Sequence, residues 1–365
     1  LMVGGGCIVW GVQQGQTFDL LRMLSANLGL ISMLIAVSFL GLVSQPSLDD
    51  SQRLPTGPRA IASTLSGVHL FGAVINLSSV FILGDRMSHR QPLSREQAIA
   101  LTRGFSAAAF WSPFFAAMGV ALTFAPGAQL STILITGIPL ALVSLLICWI
   151  ELARSPQASQ FIGYPMHYSS LWLPLLLAAS VFAVRYQQPE FPILTLITLL
   201  APTITLLVLL LSPRRTRPHL QQHISERVPR MSNELSLFLA AGVLSYGLQL
   251  LLAGSSGWLP FDQFSALEAS ICLAFALLMA LLGIHPIISI ALLGPVLEPL
   301  HPDQSLLAMV FLSAWALGSA VGPLSGMNLA VQGRYGIDAV SLMRWNLPYM
   351  AIMFVVVCAA LQLIA

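Results

Sequence analysis

Long apolar runs separated by short connections extend through the whole chain and limit its fold more than any other feature. A run of about 20 residues can cross the hydrocarbon core of a bilayer as one helix, and charged residues make up only 8% of this chain. The sequence therefore predicts an all-α polytopic membrane protein whose partner is a lipid bilayer and not nucleic acid. The apolar runs fall at 1–12, 24–45, 59–84, 104–125, 131–150, 169–184, 191–211, 234–253, 265–300, 306–332 and 347–365.

Two of these runs contain a signal for a bend. The run 265–300 is too long for a single span, and Gly283-Ile284-His285-Pro286 interrupts it near the middle. Proline lacks a backbone donor and disfavours the helical conformation of the residue before it, so a helix rarely continues through His-Pro. Gly67-Val68-His69 lies in a similar place in the run 59–84. We expect each run to form a helical hairpin that bends at these residues and leaves the membrane on the side from which it entered.

The two halves of the chain resemble each other at three places, which predicts an internal duplication. Arg22 to Leu28 is echoed by Arg230 to Leu235, Gly67-Val68-His69 by Gly283-Ile284-His285, and Ser112-Pro113 by Gly322-Pro323, at offsets of 208, 216 and 210 residues. We expect a first repeat in 1–155, incomplete at its N-terminus, and a second repeat in 233–365. The segment 156–232 between them is expected to hold connecting helices and a basic linker.

Arginine placement predicts how the two repeats are oriented. All 16 basic residues are arginine, and positively charged loops favour the cytoplasmic side. If both hairpins are re-entrant, 14 arginines share one side and 2 the other, whereas hairpins that crossed the membrane would give 11 against 5. The larger imbalance favours re-entrant hairpins, a cytoplasmic basic linker, and repeats that are inverted relative to each other in a bacterial inner membrane.

A helix breaker falls inside the span that follows each hairpin. In the first half it is Trp111-Ser112-Pro113 within 104–125, and in the second it is the segment from Gly322 to Gly326 within 306–332. Proline inside a helix frees a carbonyl one turn earlier, and such groups are tolerated at membrane depth only where they are buried in protein or line a wet cavity. Interrupted helices at matching places in two repeats point to the binding site of a transporter.

This organisation resembles the ion transporter superfamily, which includes the divalent-anion/sodium symporters, the large membrane subunit of TRAP transporters and the arsenite-type permeases. The resemblance implies inverted repeats, each with a re-entrant hairpin and an interrupted transmembrane helix, and an assembly that is often a homodimer. It covers most of the chain in organisation but little of it in motif. The symporters mark their tips and breaks with Ser-Asn-Thr, whereas this chain has Asn76-Leu77-Ser78-Ser79 and Gly283-Ile284-His285-Pro286. The family within the superfamily is therefore not identified.

Polar and helix-breaking residues near the tips and breaks are the candidate ligands for substrate and ion. Hydroxyls, amides and free carbonyls suit Na⁺, and the N-terminal ends of half-helices suit an anion. His69 and His285 are also candidates for carrying a coupling proton; the alternative is that each is a neutral histidine that ties its hairpin to a carbonyl. The candidate ligands are Asn76, Ser78, Ser79, Ser112, Pro113, His285, Pro286, Ser289, Gly322, Pro323, Ser325, Gly326 and Asn328.

Together these features predict a secondary active transporter of a small anionic solute, a carboxylate or an oxyanion, coupled to Na⁺ or H⁺. The solute is expected to bind near the midplane between the hairpin tips and the broken helices, which move as a block. The sequence has no metal-ligand, nucleophile or phosphate-binding motif, so neither an enzyme nor a bound cofactor or metal is expected. Two alternatives stay open: a membrane subunit of a larger transport complex, and a membrane-embedded enzyme or lipid carrier that uses His69 and His285.

Overall fold

The structure of the protein, a computed structural model, describes residues 1–43, 54–89, 91–165, 172–188, 190–211, 220–253 and 260–365. Within these ranges six helical segments are long and apolar enough to cross a membrane, two of them made of consecutive helices, which confirms the all-α polytopic prediction. In chain order the main helices are α1 (Met2–Gln13), α2 (Leu20–Ser25), α3 (Leu28–Ser38), α4 (Pro58–Ile75), α5 (Ser78–Ser88), α6 (Arg95–Ser106), α7 (Ala116–Phe124), α8 (Leu130–Ala153), α9 (Trp172–Gln187), α10 (Ile193–Leu210), α11 (Ser232–Ala253), α12 (Ala266–Leu281), α13 (Pro286–Leu297), α14 (Gln304–Val321), α15 (Gly326–Tyr335) and α16 (Ala339–Ile364).

One compact unit comprises Leu1–Asp49 and His167–Gly257 and contains α1–α3 and α9–α11. In this unit α1 packs along α11, and α3 packs along α10. The contact of α1 with α11 requires glycine, because a Cβ on Gly247 would lie 2.4 Å from the carbonyl oxygen of Gly4. Small residues allow membrane helices to approach each other this closely, so the pair is held by backbone packing.

The other compact unit comprises Asp50–Met166 and Trp258–Ala365 and contains α4–α8 and α12–α16. Its central helix is α14, in which every residue from Ser305 to Val321 is buried. Helices α6, α7, α8, α12, α13 and α16 all pack against it. A helix that is apolar on all sides is buried in this way in the core of a large bundle. Both predicted hairpins and both predicted broken helices lie in this unit.

The five helices α4–α8 recur as α12–α16, in the same order and at a nearly constant spacing. Proline marks both breaks, 210 residues apart at Pro113 and Pro323, and both final helices, 209 residues apart at Pro139 and Pro348. The helix boundaries therefore repeat as a duplicated chain should. Each compact unit nevertheless draws on both halves of the chain, and the inversion of one copy relative to the other stays a prediction.

The bend of the first hairpin is not where the sequence predicted it. Helix α4 continues through Gly67-Val68-His69 to Ile75, and the turn follows at Asn76, whose φ of 50° is left-handed. No proline follows His69, so nothing interrupts the backbone hydrogen bonds there. The second bend lies where predicted, with Gly283 at φ 88° and α13 beginning at Pro286. The two histidines that suggested a shared motif are thus not at equivalent positions, which explains their discordant offset of 216 residues.

The first broken helix begins about nine residues earlier than the predicted run at 104. A capping box starts it: Ser94 accepts a hydrogen bond from the backbone of Gln97, whose side chain in turn accepts one from the backbone of Ser94. The break itself falls between the turn at Ala107–Phe110 and α7, as predicted. The earlier start places Arg103 inside α6, with no exposed surface. Arg103 therefore carries no information about sidedness, and 13 of the 14 arginines counted on one side remain.

Other predicted elements lie close to their expected ranges. The run predicted at 306–332 forms α14 and α15, and the residues between them are Gly322 to Ser325. Part of the basic linker, with Arg214, Arg215 and Arg217, lies in 212–219 and so outside the described residues. Within the linker, 223–227 form a π-helical turn.

Candidate functional site

The first hairpin tip and the first break are tied together by side chains that the sequence singled out. Ser112 donates a hydrogen bond from its Oγ to the carbonyl of Ala73 at 2.5 Å and accepts one from the backbone N–H of Phe114 at 3.2 Å. Asn76 donates from Nδ2 to the carbonyl of Phe114 at 3.3 Å. These three bonds satisfy backbone groups that the break and the turn leave open. Ser112 and Asn76 therefore hold the end of α4 against the break.

His69 connects the same hairpin to α6 and to the first residue of the break. Trp111 donates from its indole Nε1 to His69 Nε2 at 3.1 Å, and the His69 Nδ1 lies 3.2 Å from the carbonyl of Gly104. An indole N–H is only a donor, so Nε2 accepts and the ring hydrogen is on Nδ1, which donates to the carbonyl. Both nitrogens of this buried ring are thus engaged. This arrangement favours a bracing role over that of a proton carrier.

The second break is stabilised by Ser325 and Asn328. Ser325 Oγ donates to the carbonyl of Ser319 at 2.8 Å and accepts the backbone N–H of Asn328 at 3.2 Å, which makes it the N-cap of α15. Asn328 donates from Nδ2 to the carbonyls of Ala320 at 3.2 Å and Gly322 at 2.9 Å. Because carbonyl oxygens only accept hydrogen bonds, the group of the Asn328 amide that faces them must be the NH₂ group. The Oδ1 atom therefore points away from them.

The second hairpin tip lies against the second break. A Cβ on Gly283 would contact Leu324 at 3.0 Å, and a Cβ on Gly318 would contact Pro286 at 3.1 Å. His285 caps α13, because its Nδ1 accepts the backbone N–H of Ile287 at 3.2 Å. The neutral ring therefore carries its hydrogen on Nε2. Tip and break are in direct contact in the second half as in the first.

Three polar atoms of the second half are buried without a hydrogen-bond partner among the described residues. They are the hydroxyl oxygens of Ser289 in α13 and Ser313 in α14 and the Oδ1 of Asn328 in α15. A buried polar atom without a partner costs free energy unless a water, an ion or a ligand supplies one. All three atoms are neutral oxygens that can accept a hydrogen bond or coordinate a cation.

The remaining predicted site residues are placed less directly. Ser79 is buried and donates its hydroxyl hydrogen to the carbonyl of Asn76 at 2.9 Å, so it closes the first turn. Ser78 and Gly326 are exposed at the starts of α5 and α15, Pro113 is buried, and Pro323 is half-buried. Helices α7 and α15 begin at the breaks and α13 begins at the second tip. The N-terminal end of a helix carries a partial positive charge.

A hydrogen-bond network around the buried Arg103 joins the two halves of the chain and was not predicted from the sequence. Arg103 Nε donates to Asn346 Oδ1 at 2.8 Å, its Nη1 to Glu151 at 2.5 Å, and its Nη2 to the carbonyl of Trp345 at 2.9 Å. The guanidinium also lies over the ring of Tyr349, 4.6 Å from its centroid. The capping box at Ser94 was a signal that α6 begins early and that Arg103 lies within it.

The return arm of each hairpin meets the half-helix that follows the break of the other half. A Cβ on Gly84 of α5 would lie 2.3 Å from the hydroxyl of Tyr335 at the end of α15, and a Cβ on Gly294 of α13 would lie 2.6 Å from the ring of Phe124 at the end of α7. Gly84 and Gly294 are 210 residues apart, and Phe124 and Tyr335 are 211 apart. Such reciprocal contacts are what a two-fold relation between copies produces.

Comparison with known proteins gives a likeness of fold. No protein-family model matches the sequence, and no curated protein matches it. Among solved structures, the chain is similar to the YdaH transporter of Alcanivorax borkumensis, with a TM-score of 0.53 and 15% sequence identity over 99% of this chain and 87% of that one. At this identity the likeness shows the fold alone. The protein is thus an integral membrane protein with a transporter-like fold, and membership of the ion transporter superfamily stays a prediction.

Proposed function

We propose that the protein is a secondary active transporter of a small anionic solute, driven by a cation that binds at the second break. The observation that carries the proposal is Asn328. Its side chain is fully buried, its NH₂ group is committed to the carbonyls of Ala320 and Gly322, and its Oδ1 has no partner among the described residues. A buried amide oxygen presented in this way suits a cation.

Na⁺ fits these donors better than a proton or a divalent ion. The unpartnered groups are an amide oxygen and two hydroxyls, which are neutral oxygen ligands of the kind that hard cations prefer. A coupling proton would need a titratable group. Both ring nitrogens of His69 are already engaged, and the His285 nitrogen that would take up a proton, Nδ1, accepts the backbone N–H of Ile287. The described residues also hold no group of three His, Cys, Asp or Glu side chains suited to a divalent metal.

The anionic nature of the solute is supported by the half-helices. Helices α7, α13 and α15 begin at the breaks and at the second tip, and their N-terminal N–H groups favour a carboxylate or an oxyanion. A cation bound beside the same groups offsets the charge of the anion. The two ligands would then bind cooperatively, which is what coupled transport requires.

The hairpins and broken helices are suited to moving as one body. Ser112 and Asn76 tie the first tip to the first break, while Gly283 and Leu324 contact each other at the second. Both pairs belong to the same compact unit. We propose that this unit carries the bound solute and cation together.

Uptake into liposomes tests the proposal. Purified protein should accumulate small radiolabelled carboxylates or oxyanions when an inward Na⁺ gradient is imposed, and Asn328→Ala should abolish that accumulation. The matched control is Asn27→Ala: Asn27 is also buried, donates its amide to the carbonyl of Phe238 at 2.6 Å, and has an unpartnered Oδ1 among the described residues. This control should retain Na⁺-driven uptake. Uptake that depends neither on the Na⁺ gradient nor on Asn328 would refute the proposal.

A further inference from the structure

One carbonyl at the second break receives hydrogen bonds from two asparagines on different helices. Asn328 of α15 donates to the carbonyl of Ala320 at 3.2 Å, and Asn346 of α16 donates to the same oxygen at 2.9 Å. Helix α14 ends at Val321, so the N–H that would normally bind Ala320 is lost at the break. The two amides replace it, and a carbonyl oxygen has two lone pairs with which to accept them.

We infer that Asn346, held in place by Arg103, is a positioning residue for the cation site at Asn328. The inference rests on the proposed function, because it concerns the same site. Asn346 fixes the Ala320 carbonyl, the carbonyl fixes the NH₂ group of Asn328, and the fixed NH₂ group determines where the Asn328 Oδ1 points. The geometry of one buried oxygen is thus set from a helix that does not carry it.

The orientation of Asn346 follows from the chemistry of its partners. Arg103 Nε is only a donor, so the Asn346 amide must turn its oxygen to Arg103 and its NH₂ group to Ala320. Arg103 is itself fixed by Glu151 and by the carbonyl of Trp345. Its fork geometry leaves the amide of Asn346 a single satisfied orientation.

The internal repeat provides a comparison for this arrangement. The positions equivalent to Asn346 and Ala320 in the first half are Gly137 and Phe110, at offsets of 209 and 210 residues. A Cβ on Gly137 would lie 2.2 Å from the carbonyl oxygen of Phe110. In the first half, therefore, a glycine without a side chain packs against the equivalent carbonyl. Met118 stands where Asn328 does, 210 residues earlier. Packing alone therefore requires only a small residue there, and the two amides are an addition confined to the second break.

The test is the Na⁺ concentration that half-saturates thermal stabilisation of the purified full-length protein, with choline replacing Na⁺ at constant ionic strength. Asn346→Asp keeps an acceptor for Arg103 but removes the donor to Ala320. We expect it to raise the half-saturating Na⁺ concentration about 10-fold or more, as loss of an outer-shell contact commonly does. The control is Asn27→Asp, the same change at a buried asparagine of the other compact unit, which removes its amide donor to the carbonyl of Phe238, and it should leave the Na⁺ response unchanged.

Each outcome decides between the inference and its alternatives. An unchanged Na⁺ response in Asn346→Asp, or an equal shift in Asn27→Asp, would overturn the inference but not the proposed cation site. A wild-type protein that shows no response to Na⁺ would refute the proposed cation coupling itself, and the inference with it. If Asn346→Asp does not fold, Asn346→Gly reproduces the first-half arrangement and carries the same expectation.

Discussion

Histidines in this protein show how partners decide the role of a residue that sequence alone leaves open. His69 has a donor at one nitrogen and an acceptor at the other, whereas His285 caps a helix through one nitrogen. The sequence pattern suggested that the two histidines are copies of one motif. Their hydrogen-bond partners show that their structural roles differ. The partners are remote in sequence, 35 and 42 residues from His69, so no local pattern reveals them.

Replacing His69 by phenylalanine should destabilise the protein without changing how uptake depends on pH. His69→Phe keeps an aromatic ring but leaves the Trp111 indole N–H and the Gly104 carbonyl without their partner, and each such loss costs about 1–3 kcal/mol when the group stays buried. The measurement is the melting temperature together with the pH profile of uptake. The double variant with Trp111→Phe should be less destabilised than the two single variants added together. A normal melting temperature with loss of proton-dependent uptake would instead identify His69 as a proton carrier.

His223, in the linker outside the six candidate spans, should make stability depend on pH. Ser38 donates its hydroxyl hydrogen to Ile35, so it accepts from His223 Nε2 at 2.9 Å, and the buried Nδ1 has no partner among the described residues. Burial, and then the charge of Arg227, lower the pKa of His223. The folded state therefore binds fewer protons than the unfolded state. The stabilisation is fully present above the ordinary pKa of about 6.5 and is lost as the pH falls from there through the lowered value.

Melting temperatures measured from pH 8 to pH 5 test this expectation. The wild-type protein should lose more stability over the acidic part of the range than His223→Gln, whose amide can still donate to Ser38. Identical pH profiles for the two proteins would show that His223 is not the group responsible.

At the scale of elements, helix starts carry local sequence signals and the first tip carries none, although the capping box at Ser94 was overlooked and the start of α6 was placed about nine residues too late. The capping box at Ser94 and the His-Pro at His285 are local signals, and each marks a helix start in the structure. The first tip has no such signal, because Asn76 turns the chain through its own backbone conformation and through its contact with Phe114. The prediction of paired breaks succeeded because proline acts locally. The partners of each break could not be predicted, because they come from helices far along the chain.

The return arms of the two hairpins, α5 and α13, contact α15 and α7 respectively. The two contacts differ in chemistry, and this difference predicts which return arm opens more easily. Beside Gly84, Asp85 accepts two hydrogen bonds from Arg334 and one from Tyr335. This ion pair is about half exposed, and exposed pairs contribute little more than about 1 kcal/mol and weaken with salt. Beside Gly294 the equivalent contact is made by aromatic rings, with Phe124 packed on Phe311. The arm α5 is thus held by a pair of charges that water can reach.

Asp85→Asn should therefore increase amide hydrogen exchange in α5 and α15 while leaving α7 and α13 unchanged. The effect should be reproduced in the wild-type protein by raising the salt concentration. Glu298→Gln makes the same chemical change after the end of α13 and serves as the control, with no expected effect on α5. Exchange in α5 that is insensitive to Asp85→Asn would show that the arm is held by packing alone.

At the scale of the whole molecule, the recurrence of helix boundaries could be predicted from the sequence, whereas the grouping of the helices could not. Constant offsets of about 210 residues recur in the prolines, the glycines and the helix boundaries. The sequence halves nevertheless do not form separate bodies, since α4–α8 pack with α12–α16 in one compact unit. Contacts such as that of Arg103 with Asn346 join residues 243 positions apart. Local periodicity carries no information about such pairings, so only the structure reveals them.

The central claim is that the two hairpins enter the membrane from opposite sides, and labelling of single cysteines tests it most directly. In a cysteine-free background, cysteines are placed at Thr56 and His89, on either side of the first hairpin, and at Gln263 and His301, on either side of the second; all four residues are exposed. An impermeant thiol reagent is then applied to intact cells. The inverted repeat predicts that Gln263→Cys and His301→Cys are labelled from outside, whereas Thr56→Cys and His89→Cys are labelled only after the cells are opened. Labelling that places the two ends of either hairpin on opposite sides, or all four cysteines on the same side, would contradict the account.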